Sequence, residues 1–246
     1  MNYLGYVTLF STVMLSGISV FAMPIRKQNY LKLLLAFSGS FILSICFLHL
    51  IPEIYQSTEN SSIGIFVLIG FFMQVILEFF SDGLEHGHIH KGNVSDHDHK
   101  HHTHALPFAM IIALYLHSFL EGMPLHEHLL LNTENSINNS LLLGIVFHNI
   151  PVSIVFMSML LNTHMAKNKA LLFLLALALM APLGTLVGNN SFILGLISYE
   201  KLMAIVVGIF LHISTTILFE FAENHLFNFI KLITMLLGVM LALFIA

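Results

Sequence analysis

The sequence predicts an all-α integral membrane protein that crosses the bilayer eight times. Of its 246 residues, 57% are hydrophobic and only 9% are charged, a balance that a soluble domain could not carry on its surface. Apolar stretches of about 20 residues, enough for a helix to cross about 30 Å of hydrocarbon, recur along the chain. The basic residues between them fall on alternate connections, as expected of a multi-span protein with one cytosolic side.

Eight apolar stretches are long enough to be spans. The first has neither a basic start nor a small-residue cleavage pattern, so we interpret it as a span rather than as a signal peptide. The boundary between the sixth and the seventh is the least distinct, because Asn189, Asn190, Glu200 and Lys201 interrupt the apolar sequence there. The predicted spans cover residues 3–24, 33–54, 63–82, 105–125, 138–161, 170–188, 202–221 and 229–246.

The positive-inside rule orients these spans. Eight of the nine Lys and Arg residues follow odd-numbered spans, and only Lys201 lies on the opposite side. With an even number of spans, both termini are then predicted to lie outside. The basic residues assigned to the cytosolic side are Arg26, Lys27, Lys32, Lys91, Lys100, Lys167, Lys169 and Lys231.

Composition also excludes some classes of function. The net charge is −4 with neutral histidine, and the clustered Lys and Arg that bind nucleic acid are absent. The single cysteine, Cys46, lies inside an apolar stretch, so disulfides do not contribute to the fold. The sixteen histidines are the unusual feature of the composition.

The fourth and fifth predicted spans carry metal-ligand side chains inside apolar sequence. His117 and Glu121 are four residues apart, so on a helix they lie on one face, one turn apart, close enough to share a cation. His148 would add a third ligand from the next span. A lone intramembrane histidine is more often a hydrogen-bond partner between helices, but this combination favours a divalent metal ion.

Spans two and seven carry further candidates for a metal path. His49 and Glu53 share a helical face at the end of span two, where Pro52 can kink the last turn, and they could equally cap the helix end. His212 and Glu220 lie on span seven, where His212 alone would more often bond another helix. The tripeptide Phe-Leu-His ends at His49 and again at His212, at positions that are equivalent in an inverted repeat of eight spans.

Spans three and six have features of helix interfaces. Gln74, Glu78 and Asp82 follow each other at four-residue spacing on span three. This polar stripe leads to the inner loop and favours a protein interface or a water-filled exit over contact with lipid. Span six contains Gly184 and Gly188 among small residues that allow helices to approach closely.

A histidine-rich loop follows span three. It cannot form a core, so we predict that residues 83–104 are a disordered cytosolic segment of a single transmembrane domain, 1–246. Asp96 and Asp98 lie among its imidazoles, which suit borderline metals such as zinc and could gather or sense the ion. Its histidines are His86, His88, His90, His97, His99, His101, His102 and His104.

Together these motifs resemble the ZIP (Zrt/Irt-like) family of divalent metal transporters, over nearly the whole chain. The matching features are His-Leu-Ile-Pro-Glu on span two, an acidic span three before the histidine-rich loop, His-x-x-x-Glu-Gly on span four, His-Asn-Ile-Pro on span five and Ala-Pro-Leu-Gly on span six. The resemblance implies a mid-membrane metal site between spans four and five, held by two three-helix repeats in a 3+2+3 arrangement.

The resemblance also implies ligands. It carries over His117 and Glu121 on span four and His148 and Asn149 on span five, while Ser118 stands where the family usually has asparagine.

Three positions depart from the family pattern. Val152 and Ser153 stand where the family has glutamate, or histidine followed by glutamate, and Ala181 replaces an acid that some bacterial members carry. One carboxylate and two imidazoles with an open position still suit one zinc ion, but not a bridged pair. Since fewer carboxylates offset the charge of the ion, we expect weaker binding and faster release.

The leading hypothesis is transport of zinc, with iron or manganese as alternatives, from outside to the cytosol by alternating exposure of this site. The ion is the substrate, and no cofactor is expected. Imidazole-rich ligands favour zinc over magnesium or calcium. We expect a multi-pass protein of the inner cell membrane, in contact with lipid and compatible with a homodimer.

Two other functions stay open at this point. The loss of acids at Val152 and Ser153 is compatible with a transport-inactive metal sensor or scaffold. Three zinc ligands with an open position could also activate water in an intramembrane hydrolase. The sequence contains no His-Glu-x-x-His helix, which weighs against the hydrolase.

Overall fold

The computed structural model describes residues 4–22, 28–56, 62–81, 108–125, 136–163, 165–220 and 229–245. Within these ranges the chain is helical and contains no strand, which confirms the all-α class. The predicted histidine-rich loop, residues 83–104, lies outside the described residues, as does Asp82.

The described part of the chain contains ten α-helices. They are α1 (Leu4–Ser19), α2 (Gln28–Ile45), α3 (Ile51–Gln56), α4 (Ile63–Ser81), α5 (Phe108–Gly122), α6 (Ser136–Asn162), α7 (Lys167–Gly188), α8 (Ser191–Leu196), α9 (Tyr199–Glu220) and α10 (Phe229–Ile245). A π-helical turn, Cys46–Leu50, joins α2 to α3 without a break. It ends two residues before Pro52, which cannot donate a backbone hydrogen bond and whose ring would crowd the carbonyl one turn back in a regular α-helix.

Four helical segments in the described part of the chain are long and apolar enough to cross a membrane. They are Tyr30–Gln56, Ser140–Asn162, Lys167–Gly188 and Tyr199–Phe219. Shorter apolar helical segments are Leu4–Ser19, Ile63–Phe79, Phe108–Gly122 and Phe229–Ile245. Each of these segments falls within a predicted span or overlaps most of it. The fold is therefore consistent with a membrane protein, while the count of eight and the inverted repeat stay predictions.

The outer surface of the helices is apolar. Phe79, Phe219 and Phe244 are more than 70% exposed, and many Leu and Ile side chains also point outward. Exposed apolar area of this extent is unusual for a soluble protein and is what lipid contact requires. Helix α8 was not predicted: it lies in the stretch between the sixth and the seventh predicted spans, which we expected to be a connection. Asn190 caps it by accepting a hydrogen bond from the Phe192 N–H at 2.9 Å.

The helices pack around two apolar cores. The first is built mainly from α2 and α9 and contains the buried rings of Phe41 and Phe210. The second joins α1, α5, α6 and α7 around Phe156 and Leu174. The helices that carry the predicted ligands, α5 and α6, therefore share a core with α1 and α7.

Helix α7 holds the C-terminal end of α5 through very close contact. A Cβ atom at Gly184 or Gly188 would collide with the backbone carbonyls of Phe119 and Met123, so only glycine fits there. The Thr185 hydroxyl donates to the carbonyl of Gly122 at 2.9 Å. The small residues of span six thus fix the helical turn that contains Glu121.

Candidate metal site

The predicted ligands lie together in the interior, in the last two turns of α5 and in the middle of α6. His117, Glu121 and His148 are each at most 1% exposed. The distance from His117 Nε2 to Glu121 Oε1 is 3.0 Å, as the four-residue spacing on one helical face predicts. Pro151 lies inside α6 three residues after His148 and removes one backbone hydrogen bond beside this ligand.

The three side chains converge on one point. His148 Nε2 lies 3.9 Å from Glu121 Oε1. The rings of His117 and His148 are nearly perpendicular, with centroids 5.7 Å apart. One ligand atom from each of the three residues lies within 4.8 Å of the other two. Ligands about 2.1 Å from a tetrahedral zinc ion are separated by about 3.4 Å, so small side-chain rotations would close this group on an ion.

The environment of Glu121 favours a cation. Its side chain is fully buried, and neither carboxylate oxygen accepts a hydrogen bond from the residues that the structure describes. An ionised carboxylate in a low-dielectric interior is strongly unfavourable unless a positive charge or several donors compensate it. A divalent ion held between Glu121 and the two imidazoles would supply that charge.

Gln74 contacts this group from α4. It is completely buried, and its Oε1 lies 3.0 Å from His117 Nδ1. Because an amide oxygen can only accept, Nδ1 carries the proton in this hydrogen bond, and Nε2 is the ring nitrogen that faces Glu121. The sequence placed Gln74 on a polar stripe but did not assign it to the site. The signal that could have found it was an uncharged polar side chain at membrane depth beside a histidine-bearing span.

Ser118 and Asn149 are also buried, next to His117 and His148 in the chain. Ser118 Oγ and Asn149 Nδ2 have no hydrogen-bond partner in the described ranges. Neighbouring Ser153 differs, because its hydroxyl donates to the Asn149 carbonyl at 2.6 Å and is therefore engaged with its own helix. Val152 belongs to the second apolar core.

Among the described residues, the group of three potential ligands does not include the other candidates. His212 bonds Glu78 and so joins α9 to α4, the interhelical role that a single histidine most often has. His49 lies in the π-helical turn, and its Nε2 is buried with no hydrogen-bond partner among the residues described. Glu53 follows in the first turn of α3, and Glu220 is the last residue of α9.

Apolar helices around a buried His/Glu/His group are typical of a membrane protein that can bind a metal ion in its interior. The comparison with protein families points to the same class of protein. The family model described as "ZIP Zinc transporter" matches residues 2–109 and 83–246, which together cover almost the entire chain. The chain belongs to the ZIP zinc transporter family. No curated protein sequence gives a significant match.

Membership of this family confirms the resemblance and decides which class of function the protein has. ZIP proteins are integral membrane transporters of divalent metal ions and are not enzymes. The intramembrane hydrolase considered from the sequence is therefore excluded. The buried group of three potential ligands fits a metal site.

Proposed function

We propose that this protein transports zinc into the cytosol and that the ion binds between α5 and α6, to His117, Glu121 and His148. The observation that supports this most strongly is the fully buried Glu121 carboxylate, which has two imidazoles within 3.9 Å and accepts no hydrogen bond in the described part of the chain. Such a group is stable when a cation neutralises it. Ser118 and Asn149 would complete the coordination as weaker oxygen ligands.

The ligand set favours zinc among the common divalent ions. Two imidazoles and one carboxylate suit zinc, with iron and manganese as alternatives, whereas magnesium and calcium prefer all-oxygen sites. Three protein ligands leave a fourth position open for water or for a weak donor, as in zinc sites that exchange a ligand. An open position and a single carboxylate also favour release, which transport requires.

The proposal includes a path across the membrane. Eight spans with both termini outside would place the site at mid-membrane and residues 83–104 in the cytosol, within one domain, 1–246. Alternating exposure of the site would then pass the ion inward. The candidate side chains along this transport path are those of His49, Glu53, His212 and Glu220. The histidines of the loop could receive the ion. We place the protein in the inner cell membrane, where a homodimer is compatible with the proposal.

The test is initial uptake of labelled zinc, iron and manganese into proteoliposomes that contain the full chain. His117→Ala and His148→Ala should each remove saturable uptake, because each removes one of only three strong ligands. Gly195→Ala is the matched control, since a Cβ at Gly195 has no atom within 4 Å. No saturable uptake of any of these metals by folded native protein would contradict transport, and metal binding without uptake would then favour the sensor.

A second prediction concerns the position of the missing acid. Val152→Glu places a carboxylate one turn after His148, on the same side of α6. We expect the KM for zinc uptake to fall about tenfold or more and the maximal rate to fall with it, since a second negative charge stabilises the bound ion. Val152→Gln controls for side-chain size. Equal KM values for the Glu and Gln variants would mean that position 152 does not contribute to the site.

A further inference from the structure

We propose that Gln74 is a positioning residue for the metal site: it holds His117 in the tautomer and orientation that present Nε2 to the ion. This inference rests on the proposed function of the His117, Glu121 and His148 group. It assigns a role to a side chain on α4, a helix that contributes no ligand to the group.

The geometry places Gln74 behind the ring of His117 rather than beside the ion. Its Oε1 lies 3.0 Å from Nδ1, while the Nε2 atom on the other side of the ring lies 3.0 Å from the carboxylate of Glu121. Both side chains are buried, with 0% exposure for Gln74 and 1% for His117. A buried hydrogen bond of this length is not weakened by competition with water, so it can select one tautomer.

Contacts with α9 fix the position of α4 near Gln74. One turn before Gln74, Gly70 packs so closely on α9 that a Cβ would collide with the carbonyl of Ile205. One turn after Gln74, Glu78 bonds His212 on α9. These two contacts with α9 on either side of Gln74 fix the helix that presents the amide to α5.

An amide in this position has a specific consequence for binding. A histidine ligand whose second ring nitrogen donates to an oxygen is oriented and made a better donor to the metal, and loss of such a partner typically costs about 10–100-fold in affinity. Carboxylates often fill this position. Here the amide gives the orientation without adding a negative charge, so it improves binding less than a carboxylate would. Gln74 thus sets an intermediate affinity in a site that already has only one acid.

The first test reads the tautomer in the metal-free protein and does not depend on transport. Nitrogen NMR of the ¹⁵N-histidine-labelled full chain, with His117→Ala used to assign the signal, should show His117 protonated at Nδ1. In Gln74→Leu this population should shift toward the Nε2–H tautomer or exchange between the two. A His117 ring without a proton on Nδ1 in the native protein, or an unchanged Nδ1–H population in Gln74→Leu, would overturn the proposal.

The second test measures affinity by titrating purified protein with Co²⁺, whose absorption reports tetrahedral coordination. His117→Ala supplies the baseline for binding elsewhere, including the histidine-rich loop. After this baseline is subtracted, Gln74→Leu should weaken the affinity for Co²⁺ about 10–100-fold, and Gln74→Glu should restore or increase that affinity. Tyr115→Phe is the control, because it removes a hydrogen bond from α5 to the Phe173 carbonyl on α7 that involves none of the three ligands. Equal losses in Gln74→Leu and Gln74→Glu, or in Gln74→Leu and Tyr115→Phe, would show that Gln74 acts only through packing.

The two tests separate this inference from the proposed function. If the native chain and His117→Ala bind Co²⁺ equally, the proposed metal site is contradicted. The tautomer measurement then still decides whether Gln74 orients His117. If His117→Ala loses the signal and Gln74→Leu retains it fully, the site stands and the role of Gln74 is overturned.

Discussion

Glu121→Gln should weaken zinc binding by on the order of 10²- to 10³-fold and remove uptake at low zinc concentrations. Removal of one partner from a buried charged group typically costs about 3–5 kcal/mol, and each 1.4 kcal/mol is about a factor of ten in affinity. Glutamine has nearly the same shape, and neither carboxylate oxygen accepts a hydrogen bond from the described residues, so the fold should be retained. Equilibrium binding of labelled zinc to purified protein, with His117→Ala as the baseline, measures the effect.

A matched control exists at the start of α9. Glu200 lies in the first turn of that helix, so Glu200→Gln removes the same charge away from the site. It should leave zinc affinity within about a factor of two, since an exposed or rim charge typically contributes less than about 1 kcal/mol. Equal affinity in Glu121→Gln and native protein would show that the buried carboxylate is not a ligand.

Gly208→Leu should destabilise the fold more than any change at the metal site. A Cβ at Gly208 would collide with the carbonyl of Val67, and a Cβ at Gly70 with that of Ile205, so α4 and α9 cross with their backbones in contact at two points. A leucine must push the helices apart, because backbone atoms cannot rotate away as a side chain can. Overpacking of this kind costs about 1–3 kcal/mol or more, so the Tm should fall by on the order of 10 °C.

The thermal unfolding of detergent-solubilised protein, followed by size-exclusion chromatography, measures this effect. Gly144→Ala on α6 is the control, because the nearest atom to its Cβ would be Phe210 Cε2 at an ordinary 3.9 Å. It should unfold close to the native temperature. A Gly208→Leu protein that stays monodisperse with the native Tm would mean that α4 and α9 do not pack as described.

The helices and the ligand group were predictable because they depend on local spacing. Apolar stretches about 20 residues long identify helices in lipid almost independently of the rest of the chain. A histidine and a glutamate four residues apart must share a helical face, and His117 and Glu121 do, at 3.0 Å. His148 was predicted as a third ligand because it is a histidine inside the next apolar span, although spacing alone could not place it beside the other two.

The features that sequence reasoning did not predict depend on contacts between distant parts of the chain. The polar stripe on span three indicated an interface, but not that Gln74 meets His117 while Glu78 meets His212. The rotation and depth of α4 determine which helix Gln74 and Glu78 face. Close backbone contacts, such as that of Gly70 with Ile205, determine this rotation and depth. The π-helical turn before Pro52 was likewise expected only as a kink.

Anomalous scattering at the zinc absorption edge, from crystals of the zinc-loaded protein, tests most directly whether zinc binds between α5 and α6. We expect a peak there, about 2.0–2.2 Å from imidazole nitrogens of His117 and His148 and from a carboxylate oxygen of Glu121. The same crystals of Glu121→Gln should lose most of that peak. A strong zinc peak elsewhere, with these three side chains still separated by up to 4.8 Å and bound to no metal, would contradict this expectation.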